Sequence, residues 1–265
     1  YYSRARNMHA TAKFIYFNLE GSFPNNYTDL IKLKGIGDYT ASAIASFSFN
    51  EKKAVVDGNV YRFLSRFFGV KEDINSKEGK EIIKDIAHQS IPDYEHSTYN
   101  QAIMEFGAMV CTPKSPKCHS CDLSEICFAK KHNLTTSLPL KIRKQKVKTR
   151  FFNFIIFHCK NEVLLAKRTQ KDIWKHLYQF PLFETNEEID DPLSRFDLKG
   201  ELKGKHLKKH VLSHQLIMGT FWWINVNTLP TNNNYIKVDV DDLDNFPVPK
   251  IIENYIKENL AFHLE

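Results

Sequence analysis

The sequence predicts two domains of different fold class, an all-α domain followed by an α+β domain. In the first half, apolar residues recur at helical spacing, most clearly in residues 60–68. In the second half, β-branched and aromatic runs alternate with short polar turns, as in residues 151–167. Between the two halves, residues 129–150 contain eight Lys or Arg and no acidic residue, in a chain whose net charge is +6. The change of pattern across this basic segment indicates two domains.

The same signals predict the domain boundaries. We expect a helical domain over residues 1–128, a basic linker over 129–150 and an α+β domain over 151–265. The linker either attracts phosphate backbones or is an ordinary solvated connection. No apolar run reaches the roughly 20 residues that span a bilayer, and no secretory signal is visible, so we expect a cytoplasmic protein.

Local patterns predict the individual elements. The run of small and apolar residues 41–49 and the amphipathic stretch 60–68 predict two helices, and Gly69 supplies a stop for the second. A third helix is predicted near residues 99–110. In the second half we expect a hairpin formed by residues 151–158 and 162–167, a strand-rich stretch over 211–226 and a last helix over 248–260.

A glycine pair marks the first candidate site, in the sequence Leu-Lys-Gly-Ile-Gly-Asp-Tyr-Thr-Ala at residues 33–41. Gly35 and Gly37 flank Ile36 and predict a tight turn that presents backbone N–H groups at the start of the next helix. Such a turn binds phosphate, and Ile36 would anchor it by pointing inward. The alternative is that the glycines simply end one helix and begin another.

Asp57 marks the second candidate site, because it lies just before the predicted helix 60–68. A carboxylate at this position is usually an N-cap. The helix dipole also favours the ionised form, and an ionised carboxylate stabilises a developing oxocarbenium ion on a sugar. The capping role and the catalytic role are compatible.

Four cysteines mark the third candidate site, with the spacing Cys111-x6-Cys118-x2-Cys121-x5-Cys127. Four thiolates this close in a chain without a secretory signal favour a metal centre over disulfides. Composition alone leaves a structural zinc ion and an iron–sulfur cluster as alternatives. The fifth cysteine, Cys159, lies apart in a predicted strand and is expected to be a small core residue.

The three motifs, in this order, resemble the endonuclease III superfamily of helix–hairpin–helix DNA glycosylases. The resemblance implies a [4Fe–4S] cluster held by the four cysteines and a catalytic role for Asp57, helped by Asn59. It also implies contact with the DNA backbone through the turn and through lysines of the cysteine loop, namely Gly35, Ile36, Gly37, Lys114 and Lys117.

Within that superfamily the chain is most similar to the MutY adenine glycosylases. Residues 1–7 resemble a Gly-Tyr-Tyr-x-Arg segment of that family, in which Tyr1 would insert beside the lesion. Bifunctional relatives have a Schiff-base lysine where this chain has Tyr39, so the resemblance implies a monofunctional enzyme with Tyr39 against the sugar. The family's acid, a glutamate that protonates adenine, lies before the Tyr-Tyr segment. We therefore expect it before residue 1 and expect the chain to be N-terminally incomplete.

The second half resembles the MutT-like, or nudix, domain of MutY in residues 163–168, 174–181 and 212–214. Ser213 and His214 match a loop that inspects 8-oxoguanine, although Leu212 replaces the family's phenylalanine. The alternative is that these are ordinary strand residues. The nudix signature Gly-x5-Glu with a following Arg-Glu-x2-Glu-Glu is absent after residue 151, so we expect no magnesium-dependent pyrophosphate hydrolysis.

The resemblance as a whole implies a monomeric enzyme of base-excision repair at the bacterial nucleoid. Its substrate would be double-stranded DNA with adenine opposite 8-oxoguanine or guanine, and its product an abasic site. Two alternatives remain. One is a bifunctional lyase of the endonuclease III type, against which Tyr39 and the long second domain argue. The other is a non-catalytic DNA-binding fragment without the glutamate.

Overall fold

Helices form the first part of the chain and a mixed sheet forms the second, which confirms the predicted fold class. The computed structural model describes residues 2–142 and 147–259, and the chain divides into two compact units, Tyr1–Arg143 and Lys144–Glu265. The helices of the first unit are α1 (Tyr2–Asn18), α2 (Tyr27–Leu30), α3 (Asp38–Phe49), α4 (Gly58–Phe68), α5 (Lys77–Ser90), α6 (His96–Met109) and α7 (Phe128–Lys131). Within the described ranges, no helix is both long and apolar enough to cross a membrane.

Helix α4 organises the core of the first unit. It begins after Asp57, which accepts hydrogen bonds from the backbone N–H groups of Asn59 and Val60, and it ends at Gly69. Gly69 has φ 74°, and a Cβ there would lie 2.3 Å from the ring of Phe128, so glycine is required by both conformation and space. The apolar face packs against α5, α6 and α7. The helix predicted over residues 60–68 is confirmed.

The basic segment predicted as a linker packs onto the first unit over its described N-terminal part. Ala129 and Leu138 are buried. The N–H of Ile74 donates to the carbonyl of Leu140 at 3.1 Å, and Arg66 Nε donates to the carbonyl of Leu138 at 2.8 Å. These contacts hold residues 129–140 against α4 and the loop before α5. The segment's last three residues already belong to the first strand of the second unit.

The second unit contains a mixed sheet of seven strands over its described residues. Its elements are β1 (Lys148–Cys159), β2 (Glu162–Lys167), β3 (Tyr178–Gln179), β4 (Leu182–Thr185), α8 (Pro192–Arg195), β5 (Glu201–Val211), β6 (Gln215–Asn225), β7 (Tyr235–Asp239) and α9 (Lys250–Asn259). The predicted β1–β2 hairpin and the last helix are confirmed. The strand-rich stretch 211–226 is a tight turn followed by β6, and β5 is a strand that the sequence analysis missed.

The order of the main strands is β3-β2-β1-β6-β5, with β1 and β6 parallel along their whole length. Alternate residues of β1 point to opposite faces. Phe152 and Phe154 pack with Tyr255 of α9 in one apolar cluster, and Ile155 packs with Trp222 in a second cluster. The sheet is therefore covered on both faces over much of its area.

Tyr255 gives a direct test of this packing. Its ring stacks on Phe221 with centroids 4.1 Å apart, its hydroxyl is buried, and no described residue forms a hydrogen bond with that hydroxyl. Burial raises the pKa of the Tyr255 phenol. A buried hydroxyl without a partner is destabilising, so Tyr255→Phe is expected to raise the free energy of unfolding by about 1 kcal/mol.

The measurement is urea unfolding followed by tryptophan fluorescence. All three tryptophans of the sequence, Trp174, Trp222 and Trp223, are buried in the second unit, so the signal reports on that unit alone. A loss of stability of more than about 1 kcal/mol would show that the hydroxyl has a stabilising partner.

Candidate functional site

The glycine turn lies between α2 and α3 and is fixed by α1. Thr11 of α1 is buried and donates to the carbonyl of Lys34 at 2.7 Å. Gly35 has φ +83°, and a Cβ there would lie 2.5 Å from Cβ of Asn7 in the same helix. Ile36 is half-buried and packs against an apolar cluster that includes Leu30. Ile36 therefore anchors the turn, as the sequence predicted.

Gly37, unlike Gly35, is not sterically constrained by the rest of the protein. It is the N-cap of α3, with φ −95°, and a Cβ added there would have no other atom within 4 Å. The protein itself therefore places no steric demand for glycine at this position. The exposed start of α3 presents backbone N–H groups to solvent, as a site for an anion requires.

Asp38 adds a carboxylate beside this turn, and its charge is compensated. Lys84 Nζ lies 2.6 Å from Oδ2, and the hydroxyl of Tyr27 donates to Oδ1 at 2.6 Å. Partial burial opposes ionisation of Asp38, but these two hydrogen bonds outweigh it and hold the pKa of Asp38 below its usual value. The same hydrogen bond to Asp38 raises the pKa of Tyr27 to about 12. Asp38 therefore adds little net negative charge next to the turn.

Tyr39 follows the turn and is 45% exposed. It lines an open groove of about 960 Å³ together with Gly35, Ile36, and Arg4 and Asn7 of α1. The groove thus brings the turn and Tyr39 to one surface. Tyr1, the remaining predicted DNA contact of this region, lies outside the described residues.

Asp57 lies at the start of α4 and is held by three hydrogen bonds. Its Oδ1 accepts from the N–H groups of Asn59 and Val60, each at 2.8 Å. Its Oδ2 accepts from Asn59 Nδ2 at 2.8 Å. Gly107 lets α6 approach this point, since a Cβ there would lie 2.8 Å from the Asn59 carbonyl oxygen. The carboxylate is therefore fixed in position and partly exposed.

Arg62 connects this carboxylate site to the cysteine loop. It is 7% exposed, and its guanidinium donates to Asn59 Oδ1 at 2.9 Å and to the carbonyl of Cys111 at 2.7 Å. A further hydrogen bond reaches the carbonyl of Gly107. Burial lowers the pKa of Arg62, and the Cys111 thiolate opposes that shift. Asp57, Asn59, Arg62 and Cys111 thus form a continuous chain of hydrogen bonds.

The four cysteines of the loop line one small, mainly apolar cavity of about 30 Å³, next to Arg66. Arg66 is 3% exposed, and its guanidinium lies 3.4 Å from Sγ of Cys111 and 2.8 Å from the carbonyl of Thr112. Burial raises the pKa of the Cys121 thiol, and the neighbouring cysteines add to the shift. The described residues contain no group of three or more His, Cys, Asp or Glu placed to hold a single ion.

A buried arginine beside convergent thiols fits an anionic group in this cavity, because the positive charge of Arg66 is otherwise met mainly by carbonyl oxygens. The cysteine donor set suits an iron–sulfur cluster. Lys114 and Lys117 lie exposed on the same loop, and Lys117 also lines the edge of the cavity. Cys159 is separate, in the second unit, where its Sγ lies 3.4 Å from the carbonyl of Asn227.

Ser213 and His214 lie exposed in the turn between β5 and β6. The turn is closed by the N–H of Leu212, which donates to the carbonyl of Gln215 at 2.8 Å. The side chain of Leu212 packs against the core of the second unit. Leu212 is therefore not presented to solvent in the way that Ser213 and His214 are.

Arg150 supports the base of this turn. Its guanidinium pairs with Asp172 at 2.9 Å and Glu184 at 2.6 Å, and it lies 3.2 Å from Gln215 Oε1. The hydrogen bonds that Arg150 donates to the carboxylates of Glu184 and Asp172 raise the pKa of Arg150. Arg150, the last cation of the predicted basic linker, therefore forms its ion pairs within the second unit.

The structure groups the predicted residues into three places. The turn and Tyr39 share a groove, Asp57 and Asn59 are joined to the cysteine loop, and Ser213 and His214 share a turn of the second unit. Arg62 and Arg66 were not predicted from the sequence. The available signal was two arginines four residues apart within an amphipathic helix, which places both on one face.

Two family models match the chain, a helix-hairpin-helix motif over residues 18–47 and a NUDIX domain over residues 153–258. Among solved structures, a thermostable thymine-DNA glycosylase matches 48% of this chain and 58% of its own, with a TM-score of 0.45 and 27% identity. The matched models and the geometry define a helix–hairpin–helix protein with a nudix-type second domain.

Full-length sequence comparison is more specific. The adenine DNA glycosylase of Buchnera aphidicola subsp. Baizongia pistaciae is 34% identical over 269 residues, covering 98% of this chain and 76% of that protein. The chain belongs to the adenine DNA glycosylase family. The enzyme of Buchnera aphidicola subsp. Schizaphis graminum is also 34% identical, but the match covers 81% of this chain and 62% of that protein. The chain therefore spans less than two thirds of the second relative.

The two glycines of the turn are expected to respond differently to substitution. Gly35→Ala is expected to lower the free energy of unfolding by roughly 1–3 kcal/mol, because the residue has a positive φ and Asn7 occupies the space of the new methyl group. Gly37→Ala, the matched control, is expected to lower it by less than about 1 kcal/mol, because alanine is a poorer N-cap than glycine but would meet no other atom there. Thermal unfolding followed by far-UV circular dichroism measures both. Equal losses would contradict the assignment.

Proposed function

We propose that the chain is part of an enzyme that hydrolyses the N-glycosidic bond of adenine opposite 8-oxoguanine or guanine in double-stranded DNA, leaving an abasic site. The observation that carries the proposal is the fixed carboxylate of Asp57 in a member of the adenine DNA glycosylase family. A bacterial nucleoid location and a monomeric state complete the proposal.

The glycine turn binds the DNA backbone. Backbone N–H groups at the start of α3 bind a phosphate, and the compensation of Asp38 by Lys84 removes a repulsive charge from that position. Lys114 and Lys117 on the exposed cysteine loop add cationic contacts. Adenine is then rotated out of the base stack so that its glycosidic bond becomes accessible.

Asp57 supplies the electrostatic stabilisation of the reaction. As the bond to adenine breaks, positive charge develops on the sugar, and the carboxylate is already oriented by three hydrogen bonds toward a partly exposed position. Asn59 orients Oδ2, and Arg62 orients Asn59. Water then attacks the sugar carbon. The departing adenine takes up a proton from a general acid, which the family resemblance identifies as a glutamate.

Tyr39 makes the enzyme monofunctional. A lyase forms an imine between a lysine and the sugar, and the phenol of Tyr39 has no amine for that step. The alternative function, a bifunctional lyase, is distinguished by borohydride trapping on abasic DNA, where we expect no covalent adduct.

Ser213 and His214 read the base opposite adenine. Their exposed turn carries a hydroxyl and an imidazole that can form hydrogen bonds with the edge of a modified purine. Since Leu212 is packed in the core, the contact depends on polar groups rather than on stacking by residue 212.

The four cysteines hold a [4Fe–4S] cluster. Such a cluster would cross-link the loop Cys111–Cys127, on which Lys114 and Lys117 lie exposed. Arg66 contributes a buried positive charge beside Cys111 Sγ, and its hydrogen bonds to the carbonyls of Thr112 and Pro113 keep the loop against α4.

Asp57→Asn is expected to lower the single-turnover rate of adenine excision on the order of a hundredfold or more, while binding to the lesion duplex is retained. Asparagine caps a helix as well as aspartate does, so the fold is kept, but the negative charge needed in the transition state is lost. The measurements are single-turnover excision and equilibrium binding to the same duplex.

The matched control is Asp191→Asn. Asp191 is also a helix N-cap, accepting from the N–H groups of Leu193 and Ser194, but it lies in the second unit at α8. Excision by this variant is expected to equal that of the parent. A near-normal rate for Asp57→Asn would remove Asp57 from the proposed role.

Cys118→Ser is expected to abolish iron binding and the brown colour, whereas Cys159→Ser is expected to keep both. The parent chain should contain about four irons, because a cubane cluster uses four thiolates, and Cys159 lies in the other unit. Elemental analysis and visible absorbance measure the result. One zinc per chain without iron would overturn the cluster assignment.

A further inference from the structure

Strand β5 forms one edge of the sheet and is strongly basic. It pairs with β6 along its length, and the strand order places no other described strand beside it. Its eleven residues contain four lysines and two histidines but one acidic residue, Glu201. None of the motifs discussed above accounts for this concentration of charge.

The two faces of β5 have different surroundings. His206 lies with its ring 5.7 Å from that of Tyr255, and Lys208 forms an ion pair with Glu258, so both side chains face α9. Because side chains alternate along a strand, residues 205, 207, 209 and 211 face the other way. They form a row with a spacing of about 6.6 Å between neighbours.

This outward row combines cations with exposed apolar groups. Lys205 lies over the ring of Trp222, 4.9 Å from its centroid, and Lys209 is exposed. Leu207 and Val211 are 57% and 71% exposed, although both are large apolar side chains. An exposed apolar residue on a lysine-bearing surface is typical of a contact surface rather than of a purely solvated one.

The lysines of the row are poorly neutralised by nearby carboxylates. Lys205 Nζ lies 3.4 Å from Asp190 Oδ1, but that carboxylate is fully exposed, so the pair contributes little. Among the residues that the structure describes, Lys209 has no ion pair within 4 Å. The positive charge of the row is therefore available to an external anion.

The row leads directly to the turn that carries Ser213, since Val211 is the last residue of β5 and Ser213 lies two residues further on. We propose that the outward row of β5, with Lys209 as its main cation, binds the phosphate backbone of the DNA strand whose base is read by Ser213. This inference rests on the proposed function. Val211 and Leu207 contact the sugars, and Lys209 and Lys205 contact phosphates.

An acidic peptide added to the free edge of β5 is the other class of partner for this strand. The observations favour DNA. The cations and apolar groups point away from the sheet plane rather than along the edge, and lysines on an edge strand disfavour the addition of another strand. A phosphate backbone requires only side-chain contacts of this kind.

The test is the salt dependence of binding by the 265-residue chain to a duplex with adenine opposite 8-oxoguanine. Lys209→Gln is expected to make the negative slope of log K against log salt concentration less steep by about 1, because one phosphate contact is lost. The loss in affinity should be similar for a duplex without the lesion, since a phosphate contact carries no sequence information.

Lys237→Gln is the matched control. Lys237 is an exposed lysine on β7, and β7 pairs with β2, which β1 and β6 separate from β5. Lys237→Gln therefore has the same net charge as Lys209→Gln but leaves the outward row of β5 unaltered. Its salt slope is expected to equal that of the parent. Equal slopes for Lys209→Gln and the parent, or equal reductions in both variants, would overturn the proposal.

The same titrations separate this proposal from the proposed function. Failure of the parent chain to prefer the lesion duplex over an undamaged duplex would count against lesion reading, whatever the lysine variants do. A clear preference combined with an unchanged slope for Lys209→Gln would reject the β5 row alone. Under that outcome, an acidic polypeptide that binds the parent but not Lys209→Gln would assign the row to a protein partner instead.

Discussion

Two buried guanidinium groups determine how the first unit is put together. Arg62 and Arg66 lie on α4, almost without exposure, and their charges are met by Asn59 and by backbone carbonyls. A buried charge is very unfavourable unless its hydrogen bonds are satisfied. The carbonyls of Gly107 and Cys111 therefore have to stay where the guanidinium of Arg62 can reach them. This requirement fixes the end of α6 and the start of the cysteine loop against α4.

The same requirement connects the carboxylate at the start of α4 to the cysteine loop at its side. Asp57 caps the helix, Asn59 lies in its first turn, and Arg62 lies one turn further on. A shift of the cysteine loop that moved the Cys111 carbonyl would break a hydrogen bond of Arg62 and release Asn59 from its orientation. The carboxylate and the thiols are thus held by one network, so changes that loosen the loop also affect the geometry around Asp57.

Features that depend on residues close together in the sequence could be predicted. Features that depend on contacts between residues far apart in the sequence could not. The bounds of α4 follow from a cap, an apolar stripe and Gly69, all within a few residues. Two of the hydrogen-bond partners of Arg62, in contrast, lie 45 and 49 residues away in the chain, and no local pattern identifies them. Strand β5 escaped prediction because its lysines and histidines replace the apolar alternation expected of a half-buried strand. Leu212 stands where the family has phenylalanine, and only the structure shows that its half-buried side chain packs against the core.

The parallel pairing of β1 with β6 has a consequence for how the second unit forms. Trp222 Nε1 donates to Asn153 Oδ1 across 69 positions of sequence, and every pair of the β1–β6 ladder spans a similar distance. Closing so long a loop costs entropy before any contact compensates for it. The β1–β2 hairpin and α9 can form early from neighbouring residues, but the sheet centre cannot. Joining β1 to β6 therefore requires all of the intervening chain, and a chain still emerging from the ribosome leaves β1 unpaired on that side until β6 has been synthesised.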